Sequence, residues 1–205
     1  MKRLFPNFSS VLIDKFRCDA CDCGKNHRNS FNHISFPSTA PFHLIHSDVW
    51  GLCRVASISS CFWFVTFIYC FSRTTLVYLM KEKNEVFPLF QRFYNMVSTQ
   101  FSTPIKILRT DNGREFIDST FEQYLADRGI IHQTSCAYSP AQNGVAERKN
   151  RHLLEVARCL LHMQLPKYYW GDDVLTAAYL INRMPTRVLD FKTPLTTLGV
   201  PPITL

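Results

Sequence analysis

Ile105-Lys106-Ile107-Leu108-Arg109-Thr110-Asp111-Asn112-Gly113 is the stretch on which the reading of the fold turns. Ile105–Thr110 is short and β-rich, and Asp111-Asn112-Gly113 is a turn signal, so the run reads as a strand with a carboxylate at its C-terminal end. Upstream, His43–Trp50, Cys61–Ile68 and Thr74–Met80 read as three successive strands separated by turn or polar residues, a meander. Between the meander and Ile105, the apolar residues Val86, Leu89, Phe90, Phe93, Met96 and Val97 recur at helical spacing, which predicts a helix over Asn84–Phe101 with Asn84 as N-cap. Downstream, Ser119–Arg128 reads as a short helix stopped by Gly129 and Ile130–Thr134 as a fifth strand. A Pro- and Gly-bearing loop, 137–144, leads to a long helix ending near His162, and another helix runs from about Trp170 to Asn182, before Pro185.

The order βββαβαβ followed by helices predicts an α/β ribonuclease-H-like fold, a five-stranded mixed sheet flanked by helices. Three carboxylates stand out on it: Asp48 in the strand-like His46-Ser47-Asp48-Val49-Trp50-Gly51, Asp111, and Glu147 in Gln142-Asn143-Gly144-Val145-Ala146-Glu147. Between Asp111 and Glu147 lie 35 residues, enough for a helix, a strand and a loop before the chain returns to one crevice. Asp48 and Asp111 can meet where neighbouring strands run about 4.8 Å apart, with Glu147 approaching from the long helix. Carboxylates are the natural ligands of Mg2+ or Mn2+, and two such ions about 3.5–4 Å apart stabilise both the attacking and the leaving oxygen of a phosphodiester. In that arrangement Asp48 and Asp111 hold one ion, and Asp48 and Glu147 the other. Each acid also has a local alternative: an Asx-turn for Asp111, an i,i+4 ion pair with Arg151 for Glu147, a nearby histidine for Asp48. Glu115 and Asp118 are read as solvated turn residues.

Composition agrees with a nucleic-acid enzyme without naming one. The 205 residues suit one domain with extensions, and a net charge of +7 favours an anionic partner. Residues 1–40 are rich in Asn, Ser, Pro and charge, 41–185 carry the strand and helix patterns, and 186–205 form a Pro- and Thr-containing tail. No segment is apolar enough to span a membrane, and the N-terminus has no secretory signal pattern, so an intracellular protein is expected. Reduced thiols follow, and Cys53, Cys61, Cys70, Cys136 and Cys159 are read as free.

Four motifs carry a family resemblance. His46–Gly51, Leu108–Phe116, Tyr138–Arg151 and Ala177–Thr186 resemble, in order, the integrase of copia-type long-terminal-repeat retrotransposons, and the likeness spans about Cys18 to Leu198. It implies the D,D-35-E catalytic set at Asp48, Asp111 and Glu147, with metal-dependent joining of element DNA 3′ ends to target DNA. DNA and further integrase subunits are the implied partners, and the nucleus, with a cytoplasmic particle before import, the implied location. Two other readings stand beside it: a ribonuclease-H-type nuclease, and an inactive remnant that only binds nucleic acid or a partner subunit.

The residues around Glu147 supply candidate DNA contacts. Arg151 lies one turn beyond Glu147 on the same helix face, and Lys149 is a second cation there. Tyr138, Gln142 and Asn143, on the preceding loop, can stack on a base or bond a phosphate; the local alternative is a capping box at Ser139 and Gln142. The resemblance implies that this loop is mobile.

Two departures from the family pattern temper the expectation. Cys18 and Cys21, before Gly24-Lys25, look like the second half of a His-His-Cys-Cys zinc module, but no histidine precedes Cys18 and two thiolates do not complete a four-coordinate site, so Zn2+ is not expected. Tyr69 and Cys70 stand where the family usually has an Asp pair suited to a strand-end turn, which puts local stability in question. With the C-terminal DNA-binding part also missing, the chain reads as a fragment of such an element.

Overall fold

The computed structural model describes residues 40–134, 143–161 and 165–200; Cys18, Cys21, Cys136, Tyr138, Ser139 and Gln142 lie outside them. Five strands form: β1 (Leu44–Trp50), β2 (Trp63–Tyr69), β3 (Thr75–Met80), β4 (Ile107–Thr110) and β5 (Ile131–Thr134). Their order across the sheet is β3-β2-β1-β4-β5. β1–β2 and β2–β3 are antiparallel, while β1–β4 and β4–β5 are parallel. The helices are α1 (Val86–Phe101), α2 (Ser119–Asp127), α3 (Gly144–Leu161), α4 (Trp170–Arg183) and the short α5 (Pro194–Leu198). This is the mixed, helix-flanked sheet of the ribonuclease-H-like fold that the sequence order predicts.

The alternation along each strand divides the sheet into two unlike faces. Ile45, Val65, Phe67, Tyr69, Met80 and Leu108 point to one side, where Val86, Phe90, Phe93 and Val97 of α1 and Phe121, Tyr124 and Leu125 of α2 close over them. Phe67 stacks on Phe93 with ring centroids 4.4 Å apart, and Phe90 meets Phe121 edge-on at 5.1 Å. Removing one of these fully buried rings, for example Phe93→Ala, costs about 3–5 kcal/mol. The other face is less apolar: Trp50, Phe64, Val77 and Leu79 pack on Leu153 and Ala157 of α3 and on Trp170, Val174, Ala177 and Ile181 of α4. Asn182 ties α4 to β3, accepting from Thr75 N at 2.9 Å and donating to Thr75 O at 2.8 Å. Beyond Pro185 the chain stays on this body, since Pro194 O accepts from Thr74 Oγ1 at 3.1 Å and Leu198 joins the aromatic core.

One local expectation is corrected. Asn84 is not the N-cap of α1, because a 3-10 turn at Lys83–Glu85 precedes the helix and the Glu85 carboxylate takes the N–H groups of Lys81 and Glu82 at 2.7 and 2.9 Å. Asn84 donates to the Glu82 side chain instead. The turn after β2 does without Asp: Tyr69 is buried edge-on against Phe42, and Ser72 Oγ accepts from Thr74 N while donating to Thr74 Oγ1 at 2.9 Å. Burial pushes the Tyr69 phenol well above its ordinary value. Cys53, Cys61, Cys70 and Cys159 carry thiols rather than disulfides. Among the described residues no helix is long and apolar enough to cross a membrane.

Candidate active site

β1 is the middle strand, paired with β2 over Ile45–Trp50 and with β4 over Leu44–His46, so the segment carrying Asp48 runs past the end of the β4 pairing. In the parallel pairing His46 lies opposite Arg109, and the same register carried two residues on sets Asp48 level with Asp111, just past the end of β4. Level positions on neighbouring strands share a face, here the one covered by α3 and α4. On α3 the buried positions Ala146, Asn150, Leu153 and Ala157 follow helical spacing, which seats the helix on the sheet with Glu147 exposed at its margin.

Asp48 carries a perturbed carboxyl. Burial, then Asp111, and more weakly Glu147, push its carboxyl up from 3.8 to about 7. The Val49 backbone N–H and the Asn150 side chain offset part of this by bonding the ionised form. Asn150 Nδ2 donates to Asp48 Oδ2 at 2.9 Å, and Asn150 Oδ1 accepts from Thr66 Oγ1, on the residue paired with Asp48 across β1–β2, at 3.0 Å. Asp48 is thus held by an amide and not by a histidine. The neighbouring His46 is buried, and burial, then Arg109, Arg73 and Arg148, lower it to about 3, so its ring is neutral; neither ring nitrogen has a hydrogen-bond partner among the described residues.

Asp111 makes the Asx-type bond, Oδ1 accepting from Gly113 N at 3.0 Å. A Cβ on Gly113 would lie 3.0 Å from that same oxygen and 2.8 Å from Glu115 Cδ, so the carboxyls of Asp111 and Glu115 flank one α-carbon. Glu115 therefore differs from its expectation as a solvated turn residue. Its side chain is 7% exposed and pairs with Lys83 Nζ at 2.8 Å, a partner 32 residues earlier that local sequence context does not reveal. Asp118 is exposed and caps α2, accepting from Thr120 N.

Around Glu147, Arg151 is exposed on the same helix face, and the two make no ion pair among the described residues. Lys149 is half-buried, and burial, then Arg73, lower its ammonium to about 8. Asn143, expected to face DNA, is instead 1% exposed, donating from Nδ2 to Ser47 O at 3.3 Å, because α3 lays its first turn against β1. Tyr138 and Gln142, like Cys18 and Cys21, lie outside the described residues.

The donor set fits a hard divalent cation: both Asp111 and Glu147 act on Asp48 to raise its carboxyl. As the side chains stand, no three metal-ligating groups converge to coordinating distance among the described residues. Asp48 is bonded by the Asn150 amide and Asp111 by the Gly113 backbone N–H.

A model of the integrase core domain matches residues 38–140. The chain belongs to the integrase core domain family. It is 43% identical over 178 residues to the retrovirus-related Pol polyprotein from transposon TNT 1-94 of Nicotiana tabacum, covering 86% of this chain and 13% of the polyprotein. To the Pol polyprotein from transposon RE2 of Arabidopsis thaliana it is 38% identical, covering 90% and 13%. The chain thus spans a small part of these relatives. Among solved structures it is similar to a chain of the simian T-cell lymphotropic virus intasome in complex with PP2A regulatory subunit B56 gamma, with a TM-score of 0.66 at 18% identity, covering 98% of this chain and 71% of that one. It is also similar to the HTLV-2 integrase catalytic core domain in complex with magnesium, dimeric form, with a TM-score of 0.58 at 18% identity, covering 78% and 98%. At that identity the likeness speaks for the integrase core's fold.

Asn150, Thr66 and Lys83 are the site neighbours that sequence reasoning missed. Asn150 alone had a signal, an amide at an otherwise apolar position of the α3 stripe.

Proposed function

We propose that this integrase core domain is the catalytic part of a retrotransposon integrase, joining element DNA 3′ ends to target DNA by metal-dependent transesterification. Asp48, Asp111 and Glu147 are its catalytic residues, and together they would hold two Mg2+ or Mn2+ ions, which supply charge stabilisation at the attacking and leaving oxygens. The observation that carries the reading is Asp48, a carboxyl raised to about 7 by burial and by the two other acids, as in a centre built to receive positive charge. Asn150 orients Asp48, exposed Arg151 would take a DNA phosphate beside Glu147, and Tyr138, Gln142 and Lys149 are further proposed DNA contacts. DNA and a second integrase subunit are the proposed partners, and the nucleus the proposed place of action.

The test is strand transfer on pre-cut element ends with Mn2+, run beside an RNA–DNA hybrid substrate. Joining that disappears in Asp48→Asn and in Glu147→Gln supports the reading. Hybrid cleavage without joining supports a nuclease, and DNA binding without either supports a binding-only remnant.

A further inference from the structure

Glu115 is a fourth acid beside Asp111. Its side chain is 7% exposed, and its carboxyl and Asp111 Oδ1 both crowd the space a Cβ on Gly113 would take, so without a partner it would be an uncompensated carboxylate next to Asp111. Lys83, from the turn that opens α1, reaches it with a 2.8 Å bond while its own side chain is 43% exposed. The same ammonium lies 4.9 Å from the centroid of the Trp63 ring. That ring in turn packs against Gly51, three residues past Asp48, where the backbone leaves no room for a Cβ. A continuous contact path therefore runs from the end of β1, through Trp63, Lys83 and Glu115, to the Asp111–Gly113 turn.

We propose that Lys83 is a positioning residue acting through Glu115: it withholds a fourth carboxylate from the Asp48–Asp111–Glu147 centre. The proposal rests on the integrase reading above. Charge alone separates it from a packing role. Without Lys83, Glu115 is a nearly buried anion beside Asp111, so it competes as a ligand for a cation held there. A lysine that merely contacted DNA or filled space would not act through Glu115 at all.

The experiment is a double-mutant cycle on the whole chain, with Mn2+ binding read by electron paramagnetic resonance and joining read on pre-cut ends. Lys83→Met should bind Mn2+ more tightly by about threefold or more and join ends about tenfold more slowly, from the electrostatic weight of an unpaired neighbouring charge. Lys83→Met with Glu115→Gln should return both to within about twofold of wild type, since removing the released charge removes its effect. Lys83→Arg, which keeps the pair, should stay near wild type and controls for folding. Unchanged Mn2+ affinity in Lys83→Met, or a joining defect that Glu115→Gln leaves in place, overturns the proposal. Failure of the integrase reading looks different: wild type itself would neither bind Mn2+ nor join ends.

Discussion

Asn150 holds Asp48: its amide donates to Asp48 Oδ2 at 2.9 Å and is itself fixed by Thr66, so α3 and β2 together decide where the middle carboxylate points. Groups that orient a metal ligand commonly matter nearly as much as the ligand. Asn150→Ala is expected to lower joining by about 10–100-fold while leaving the fold intact. Joining at wild-type rate in a well-folded Asn150→Ala protein would remove the amide from the site.

Glu147→Gln tests the proposed ligand on the helix. The change keeps shape and removes one charge, so Mn2+-dependent joining should fall by roughly two orders of magnitude or more, with DNA affinity within about twofold. Parallel fluorescence-anisotropy and joining assays distinguish this from a general binding defect.

Asp48 should leave a mark on stability. Its folded value of about 7 lies above the 3.8 of the unfolded chain, so the native state holds this proton more tightly and loses stability as pH rises from 3.8 to about 7. In metal-free buffer, Asp48→Asn is expected to be more stable than wild type at pH 8 by roughly 1–3 kcal/mol, and no more stable at pH 3. Urea melts at the two pH values check this; equal gains at both would show that the acid is not perturbed.

His46 runs the other way. Its imidazole is held near 3 against an ordinary 6.5, so the unfolded chain binds the proton first, and stability is lost as pH falls from 6.5 towards 3. His46→Leu, which removes the buried base, should flatten that acid limb in thermal melts recorded between these values. An acid limb of unchanged steepness would place the acid sensitivity elsewhere.

What the sequence made legible and what it hid follow from the range of the interactions involved. The strands and α1, α2, α3 and α4 are set by local periodicity and turn chemistry, so Asp48 on its strand, Asp111 at its turn and Glu147 on its helix could be placed from neighbours in the chain. The ties that tune them are long-range: Thr66 to Asn150 spans 84 residues and Asn150 to Asp48 spans 102. Glu115 looked solvated because it follows the turn signal Asp111-Asn112-Gly113, while its partner Lys83 belongs to another element. Asn84 looked like a cap because residue type alone cannot tell an α-helix start from a 3-10 turn that comes before it.

The parallel register of β1 and β4 has a consequence for how such a chain can change over time. Asp48 and Asp111 face each other only because the residues before them are counted in step, and side chains alternate sides at every position. A single codon lost or gained between His43 and Asp48, or between Ile107 and Asp111, would turn one acid towards the phenylalanine-lined side of the sheet. Point substitutions on the α3 side leave that aromatic half untouched. A copy of this gene can therefore lose its chemistry by substitution and still encode a folded protein, whereas a one-residue frame-preserving deletion in either strand threatens chemistry and fold together.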